Sequence, residues 1–138
     1  MRTERTGRLG IVCAIAAGAG FVGCGIGTIH SSGDRSVPGG DPVRGRAILE
    51  SGDYGCIACH TIPGIKSPRG IVGPPLAGMA HRTFIAGQLP NRPDVLVPFL
   101  QDPPALVPRT GMPDVRLSLE DARHIAAYLY TLEPPHAR

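Results

Sequence analysis

Two cysteines separated by two residues, with a histidine directly after the second, form the most constraining feature of this chain: Cys56-Ile57-Ala58-Cys59-His60. Side chains three positions apart lie on one side of a helical turn, so both thiols can reach one edge of a flat ligand. The next residue adds an imidazole, a common metal ligand. This pattern is the attachment signature of c-type haem. The sequence therefore predicts one haem, bound covalently through Cys56 and Cys59, with His60 on the iron.

Other uses of the cysteine pair fit the sequence less well. A structural zinc site needs four ligands, commonly two such pairs, and the other two cysteines, Cys13 and Cys24, lie near the N-terminus. A thioredoxin-type dithiol follows a strand, but residues 50–55 do not form a buried-strand pattern. A disulfide between Cys56 and Cys59 is compatible with export, but closing so short a ring adds little stability. Haem attachment is therefore the favoured interpretation.

The composition agrees with a core that is not made of protein alone. The 138 residues include 19 Gly and 15 Pro, but only three Phe, three Tyr and no Trp. Gly and Pro disfavour long helices and continuous sheets, and few aromatic side chains leave little bulk for a core. A haem can supply that bulk. We therefore expect an all-α fold, with three to five short helices wrapped around one covalently attached haem, and a largely unfolded domain without it.

The first 29 residues have the pattern of a signal peptide or membrane anchor. Three arginines within the first eight residues precede an uncharged stretch over residues 9–29, which is long enough to cross a bilayer as a helix. Three outcomes remain open: a retained anchor, a cleaved signal peptide, or a lipid on Cys24. Tethering by span or lipid is favoured over release. In each case we expect the rest of the chain on the periplasmic side of the cytoplasmic membrane.

Composition also predicts where the folded domain begins. Residues 30–40 are rich in Ser, Gly and Pro, which is typical of a flexible linker, and residues 41–138 are then the domain. Beyond residue 24 the chain has 11 basic and 10 acidic residues and no basic run. Nucleic-acid binding therefore has little support.

The haem iron of an electron carrier commonly has a second axial ligand. Met112 lies in a Gly/Pro loop over residues 110–113, from which a thioether can be presented to iron, and it is the favoured ligand. Met79 is interpreted as a core residue. The alternative ligands are histidines: His81, His124 and His136. We expect His124 on the exposed side of the last helix.

Local patterns predict several short helices and no strand. The first begins at Pro42 with Asp41 as N-cap and ends at Gly52, and Gly45 on its apolar face leaves room for a crossing helix. The last begins at Ser118, is supported by Asp121 and continues to Leu132. Between them we expect a loop over residues 61–75, one or two helical turns over residues 76–83, and a helix over residues 93–101 that Pro98 kinks or shortens.

The order of these features resembles class I cytochrome c over residues 41–132. The resemblance rests on the Cys-x-x-Cys-His motif, the glycine of the first helix, and the segments 73–76, 111–113 and 126–130. It implies a monohaem electron carrier of a bacterial respiratory chain rather than an enzyme. The partners that it implies are redox proteins: a quinol–cytochrome c reductase, a terminal oxidase or a periplasmic dehydrogenase.

The resemblance also implies roles for single residues around the haem. Pro74 matches a proline whose carbonyl accepts the ring N–H of the axial His60. Leu76 matches a leucine that packs on haem, and Arg82 resembles an arginine near a haem propionate, with an ordinary surface arginine as the alternative. Phe99 stands where many relatives have Trp; it can pack on haem but cannot donate a hydrogen bond to it.

Two other functions remain open at this point. The domain could be a haem-bearing subunit of a larger oxidase or dehydrogenase, which co-purification would reveal. It could also be a ligand sensor or a peroxidase. That third function requires an open position on the iron, and therefore a Met112 that does not bind it.

Overall fold

The computed structural model describes residues 35–66 and 70–135, and the structural statements below concern these residues. The leader, including Cys24, and residues 30–34 of the predicted linker lie outside them. The described elements are five α-helices, one 3-10 turn (Met79–His81) and one two-stranded ribbon: α1 Pro42–Ser51, α2 Cys56–Cys59, β1 Phe84–Ile85, β2 Leu89–Pro90, α3 Pro93–Gln101, α4 Pro103–Leu106 and α5 Leu119–Leu129. The predicted all-α class is confirmed, since the ribbon has only two residues in each strand.

Helix α1 begins and ends where its sequence predicts. The Asp41 carboxylate accepts hydrogen bonds from the backbone N–H groups of Val43 (2.8 Å) and Arg44 (3.3 Å), which would otherwise lack partners in the first turn. At the other end Gly52 has a φ of 77°. This left-handed conformation is accessible to glycine at little cost and ends the helix.

Helix α5 starts as predicted but is shorter than predicted. The Ser118 hydroxyl accepts from the Asp121 N–H at 3.0 Å and donates to its carboxylate at 2.9 Å. The α-helix ends at Leu129, and Thr131 N–H donates instead to the Tyr128 carbonyl, which makes a tighter turn. Leu132 remains buried although it lies beyond the helix.

Helices α1 and α5 cross at closest range at Gly45. An ideal Cβ placed on Gly45 would lie 1.9 Å from the carbonyl oxygen of His124, so only glycine allows the two backbones to approach this closely. Leu49 of α1 and Ile125 of α5 are buried at this crossing face. The crossing forms one end of the hydrophobic core.

Helix α3 packs on α5 and continues through its internal proline. Pro98 lies inside Pro93–Gln101, so it does not shorten the helix as the sequence predicts. The Pro98 side chain is exposed, whereas Leu96 and Phe99 are buried. The proline therefore removes one helical hydrogen bond on the solvent side, and the apolar side of the helix keeps its packing.

A small antiparallel ribbon contradicts the expectation that the chain has no strand. Phe84 pairs with Pro90 and Ile85 with Leu89. Ala86 in the connection has a φ of 48°, which is unusual for a residue with a Cβ. Strands of two residues have too little alternation to be visible in a sequence pattern.

The predicted linker differs from the structure in its last residues. Val37 is buried, and Gly40 lies so close to α5 that a Cβ there would meet the backbone oxygen of Arg123 at 2.7 Å. Residues 35–40 therefore pack on the domain. Within the described part of the chain, none of the helices has the length and apolar character needed to cross a membrane.

Candidate haem-binding site

The two cysteines of the motif lie on one turn of helix. Gly55, with a φ of 67°, turns the chain into α2, and the His60 N–H donates to the Cys56 carbonyl at 2.9 Å to close the turn. Cys56 and Cys59 are both half-buried. Burial raises the pKa of the Cys56 thiol, with a smaller contribution from the neighbouring Cys59. Both sulfurs are therefore presented from a single short element.

The His60 ring is oriented by a backbone carbonyl of a distant loop. Its Nδ1 lies 2.8 Å from the carbonyl oxygen of Pro74. A carbonyl oxygen can only accept, so the proton of the neutral ring is on Nδ1. This tautomer leaves the lone pair of Nε2 available for a metal ion. The hydrogen bond at Nδ1 makes Nε2 a stronger electron-pair donor to that metal ion.

Two glycines pack against the Cys-x-x-Cys-His motif at positions where any side chain would overlap it. A Cβ on Gly73 would lie 2.4 Å from Cε1 and 2.6 Å from Nδ1 of the His60 ring, and a Cβ on Gly70 would lie 2.5 Å from the carbonyl carbon of Cys59. The Gly73 N–H also donates to the Cys59 carbonyl at 2.8 Å. The sequence indicates Gly73 only as part of the segment 73–76, whereas the structure identifies it as the residue against which the His60 ring packs.

The segment that follows Pro74 is held by backbone and side-chain hydrogen bonds. Leu76 is half-buried against the core, and its N–H donates to the Thr61 carbonyl at 2.9 Å. The Arg82 guanidinium donates to the carbonyls of Pro75 and Ala77, the latter at 3.2 Å. In this structure Arg82 therefore holds the loop that supports the acceptor of the His60 proton.

The two described methionines, Met79 and Met112, differ in burial and in the element that holds them. Met79 is 4% exposed and belongs to the hydrophobic core, which confirms its interpretation. Met112 is half-buried against the core in a loop outside the helices, and its N–H donates to the Thr110 hydroxyl at 3.2 Å. Phe99 is buried in α3.

The expectation that His124 is exposed is wrong. Only 6% of it is exposed, because α5 turns this face toward α1. Its Nδ1 accepts the backbone N–H of Asp41 at 2.9 Å, so it joins the two helices. His81 is exposed and bonds Glu133 through Nε2 at 2.8 Å. The third alternative ligand, His136, lies outside the described residues.

The donor set fits a haem attached through two thioethers. Two thiols come from one helical turn, and the Nδ1 of the imidazole is hydrogen-bonded to the Pro74 carbonyl. Gly73 has no side chain that would overlap the imidazole ring. In residues 35–66 and 70–135 there is no group of three or more His, Cys, Asp and Glu side chains suited to hold a metal ion.

Comparisons with known proteins agree with this geometry. The sequence model of the cytochrome c family matches residues 43–133. Cytochrome c2 of Rhodopila globiformis is 34% identical over 115 residues, which cover 71% of this chain and 99% of that protein. Cytochrome c oxidase subunit 2 of Alkalihalophilus pseudofirmus is 32% identical over 91 residues, 65% of this chain. The matched part spans only 25% of that subunit.

The matched region covers α1 from its second residue onward, the other four described helices, the cysteine pair and the loop over residues 70–77. The family and the structure thus agree on the same residues, and the resemblance found in the sequence is confirmed. The chain belongs to the cytochrome c family.

Proposed function

We propose that this protein is an electron carrier with one haem c, bound through Cys56 and Cys59, with His60 and Met112 as the axial ligands of the iron. The observation that carries the proposal is the hydrogen bond from His60 Nδ1 to the Pro74 carbonyl at 2.8 Å. It selects the tautomer in which Nε2 can bind iron. Family membership and the similarity to a cytochrome c2 support the same function.

Bound haem would supply an iron that alternates between the ferric and ferrous states. The chain's own contribution is to keep the histidine in one place in both states. Pro74 holds the ring through Nδ1, and Gly73 lies so close to its face that the ring has no space to shift in that direction. A fixed ligand means that little rearrangement accompanies electron transfer. The protein makes and breaks no substrate bonds.

Met112 is the proposed second ligand because it combines a thioether with a half-buried loop position. The other described methionine, Met79, is committed to the core. Leu76 and Phe99 would contribute apolar contacts to the haem. Arg82 Nη2 is bonded to the Pro75 and Ala77 carbonyls, so the other guanidinium nitrogens would be the ones that face a propionate. A Met ligand opposite His raises the reduction potential, which suits a carrier in respiration.

We place the carrier in a bacterial respiratory chain on the periplasmic side of the cytoplasmic membrane. The basic and then uncharged N-terminal sequence supports export, with either a membrane span or a lipid on Cys24 as the tether. The relative named as a cytochrome c oxidase subunit supports a terminal oxidase as one partner. Donors of the quinol–cytochrome c reductase or periplasmic dehydrogenase class would complete the path. Intact mass of membrane-purified protein would show whether residues 1–23 remain or Cys24 is acylated.

The ligand assignment is tested by replacing Met112 with Ala in the haem-loaded protein. The ferric wild type should show the weak far-red band of a sulfur–iron bond, and the variant should lose the band and have a lower potential. Met79→Leu is the matched control, since it changes a buried methionine with similar volume and should retain the band. An unchanged spectrum in the Met112 variant would remove the assignment. A wild type that lacks the band and readily binds carbon monoxide when reduced would favour a sensor or peroxidase.

A second function is favoured by one of the comparisons. Similarity to a region covering a quarter of an oxidase subunit is consistent with a haem-bearing subunit of a larger oxidase or dehydrogenase. Gentle extraction of the native protein from membranes distinguishes the two functions. A free carrier elutes alone, whereas a subunit elutes with other chains in fixed stoichiometry.

A further inference from the structure

Arg35 makes long-range contacts although it precedes the region that the family shares, which begins at residue 43. Its Nε donates to the carbonyl of Ala80 and its Nη2 to the carbonyl of Arg82, both at 3.2 Å. Its guanidinium carbon lies 5.4 Å from the centre of the Tyr130 ring, a cation–π distance. Together with the buried Val37 two residues later, these contacts attach this segment to the domain.

A second side chain holds the same stretch of backbone from the other direction. Asn91 is 2% exposed, and its amide nitrogen donates to the carbonyls of Met79 (2.8 Å) and Arg82 (2.9 Å). Its oxygen accepts from the Tyr130 hydroxyl at 3.0 Å. The Arg82 carbonyl therefore has two donors, Arg35 and Asn91, and both of them contact Tyr130.

The side chain of Arg82 extends this bracing to the histidine. It donates to the carbonyls of Pro75 and Ala77, which lie one and three positions after Pro74. The Pro74 carbonyl is the acceptor for His60 Nδ1. Arg35 is thus hydrogen-bonded to the backbone of Arg82, and the side chain of Arg82 is hydrogen-bonded to the loop that orients the histidine.

We propose that Arg35 is a positioning residue for the haem site: it holds the backbone at Ala80 and Arg82, so that Arg82 keeps the Pro74 carbonyl in place for His60. The inference rests on the proposed function, because the histidine matters as an iron ligand. It implies that a segment next to the tether, outside the family's shared region, adjusts the reduction potential. The fork of an arginine suits two separate carbonyls, whereas a lysine is a single point donor.

Positioning and simple charge change the potential in opposite directions. Weakening the bond from His60 to Pro74 makes the imidazole a poorer donor, which disfavours the ferric state and raises the potential. The ferric site carries one more positive charge than the ferrous site. Removing a nearby positive charge therefore stabilises the ferric state relative to the ferrous state and lowers the potential. Arg35→Lys keeps the charge and loses the fork, so it isolates the positioning effect.

The test uses the full-length, haem-loaded protein and three variants: Arg35→Lys, Arg35→Ala and Arg44→Ala. Arg44 is the matched control, because it is an exposed arginine whose described partner is an exposed Glu120 at 3.5 Å, with 65% and 73% of the two side chains accessible. The readouts are the midpoint potential and the exchange rate of the His60 Nδ1 proton, followed by NMR in the reduced state. In Arg35→Lys we expect a higher potential and exchange at least about tenfold faster, and in Arg44→Ala no faster exchange.

Wild-type exchange and potential in Arg35→Lys would overturn the proposal. So would equal shifts in Arg35→Ala and Arg44→Ala, which would indicate charge alone. If Arg35→Ala does not yield folded protein, Arg35→Lys decides the question by itself. Failure of the proposed function would be seen separately: if the protein binds no haem, neither the wild type nor any variant shows a haem spectrum.

Discussion

The Cα atom of Gly45 faces the backbone of His124 so closely that a Cβ would lie 1.9 Å from its carbonyl oxygen. Beside this contact, the His124 ring accepts the N–H of Asp41 at 2.9 Å. The N-terminus of α1 is therefore joined to α5 by a backbone contact and a side-chain hydrogen bond.

Gly45→Ala should destabilise the protein by about 2 kcal/mol or more, because a Cβ 1.9 Å from a backbone oxygen forces the helix backbones apart, and overpacking costs typically about 1–3 kcal/mol and occasionally more. The greater helix propensity of Ala would offset only about 1 kcal/mol. Gly55→Ala is the control, since its Cβ would meet nothing within 4 Å and only its φ of 67° is unfavourable, at about 1–2 kcal/mol. Urea unfolding measures both. Equal losses would contradict the role of the crossing.

Gly73→Ala should disturb the histidine while leaving the proposed covalent attachment of haem intact. Its Cβ would lie 2.4–2.9 Å from three atoms of the His60 ring, and the ring must then move from the Pro74 carbonyl. We expect a weakened or altered low-spin absorption spectrum with an unchanged intact mass. Gly87→Ala is the control, since its Cβ would meet open space, and its positive φ (72°), which Gly73 does not share, strains an alanine there without any contact to His60. A wild-type spectrum for Gly73→Ala would show that the ring adapts.

Tyr130 should make stability depend on alkaline pH. Burial raises its pKa to about 12 from 10.0. The folded state thus retains the proton longer than the unfolded state, and stability is complete below pH 10 and is lost as the pH rises through 12. Two pKa units correspond to about 3 kcal/mol for a fully shielded group, and screening by solvent makes the expected loss smaller. Urea unfolding between pH 9 and pH 12 should show this loss in the wild type.

Tyr130→Phe should remove most of that alkaline slope. At neutral pH the variant is expected to be less stable by about 1–3 kcal/mol, because the buried Asn91 oxygen loses its donor. The pKa of Tyr54 is also raised, chiefly by its hydrogen bond to Asp121, but by less than that of Tyr130, so Tyr54→Phe should reduce the alkaline slope less than Tyr130→Phe. Retention of the full slope in Tyr130→Phe would assign it to a different group.

Asp121 should make stability depend on acidic pH in the opposite sense. Hydrogen bonds from Tyr54 (2.6 Å) and, to a smaller extent, Ser118 hold its pKa below the ordinary 3.8. Its contribution is present above pH 3.8 and is lost as the pH falls through the lowered pKa. Asp121→Asn should flatten the stability curve in this range, and Tyr54→Phe should flatten it partly. A wild-type curve for Asp121→Asn would contradict this.

Several local features could be predicted from short stretches of sequence. The Asp41 cap, the Gly52 end and the Ser118–Asp121 pair depend on residues within four positions of one another, and backbone geometry makes such contacts almost independent of the rest of the chain. The helical order was also accessible, because apolar positions recur at helical spacing. The hydrogen bond between His60 and Pro74 could be predicted only through the resemblance to class I cytochrome c, since no local rule joins residues 14 positions apart.

Other features depended on long-range packing. His124 occupies a position in α5 that looks polar, yet its neighbour in space is Asp41, 83 residues earlier. Residues 35–40 have the composition of a linker, but Val37 is covered and Arg35 finds acceptors 45 and 47 residues later. Composition describes what a segment tends to do in water, and it does not reveal which surface is available for it to pack against.

The sequence alone therefore determined the chemistry: two thiols and an imidazole at a spacing that needs no tertiary context. The tertiary structure decided how the imidazole is held. Gly73 and Pro74 lie against the His60 ring although they are 13 and 14 positions away in sequence, and Arg82 donates hydrogen bonds to the loop that follows Pro74. These contacts form only when the loops are folded. The physical reason is that covalent motifs are local, whereas orientation requires donors and acceptors from separate parts of the chain.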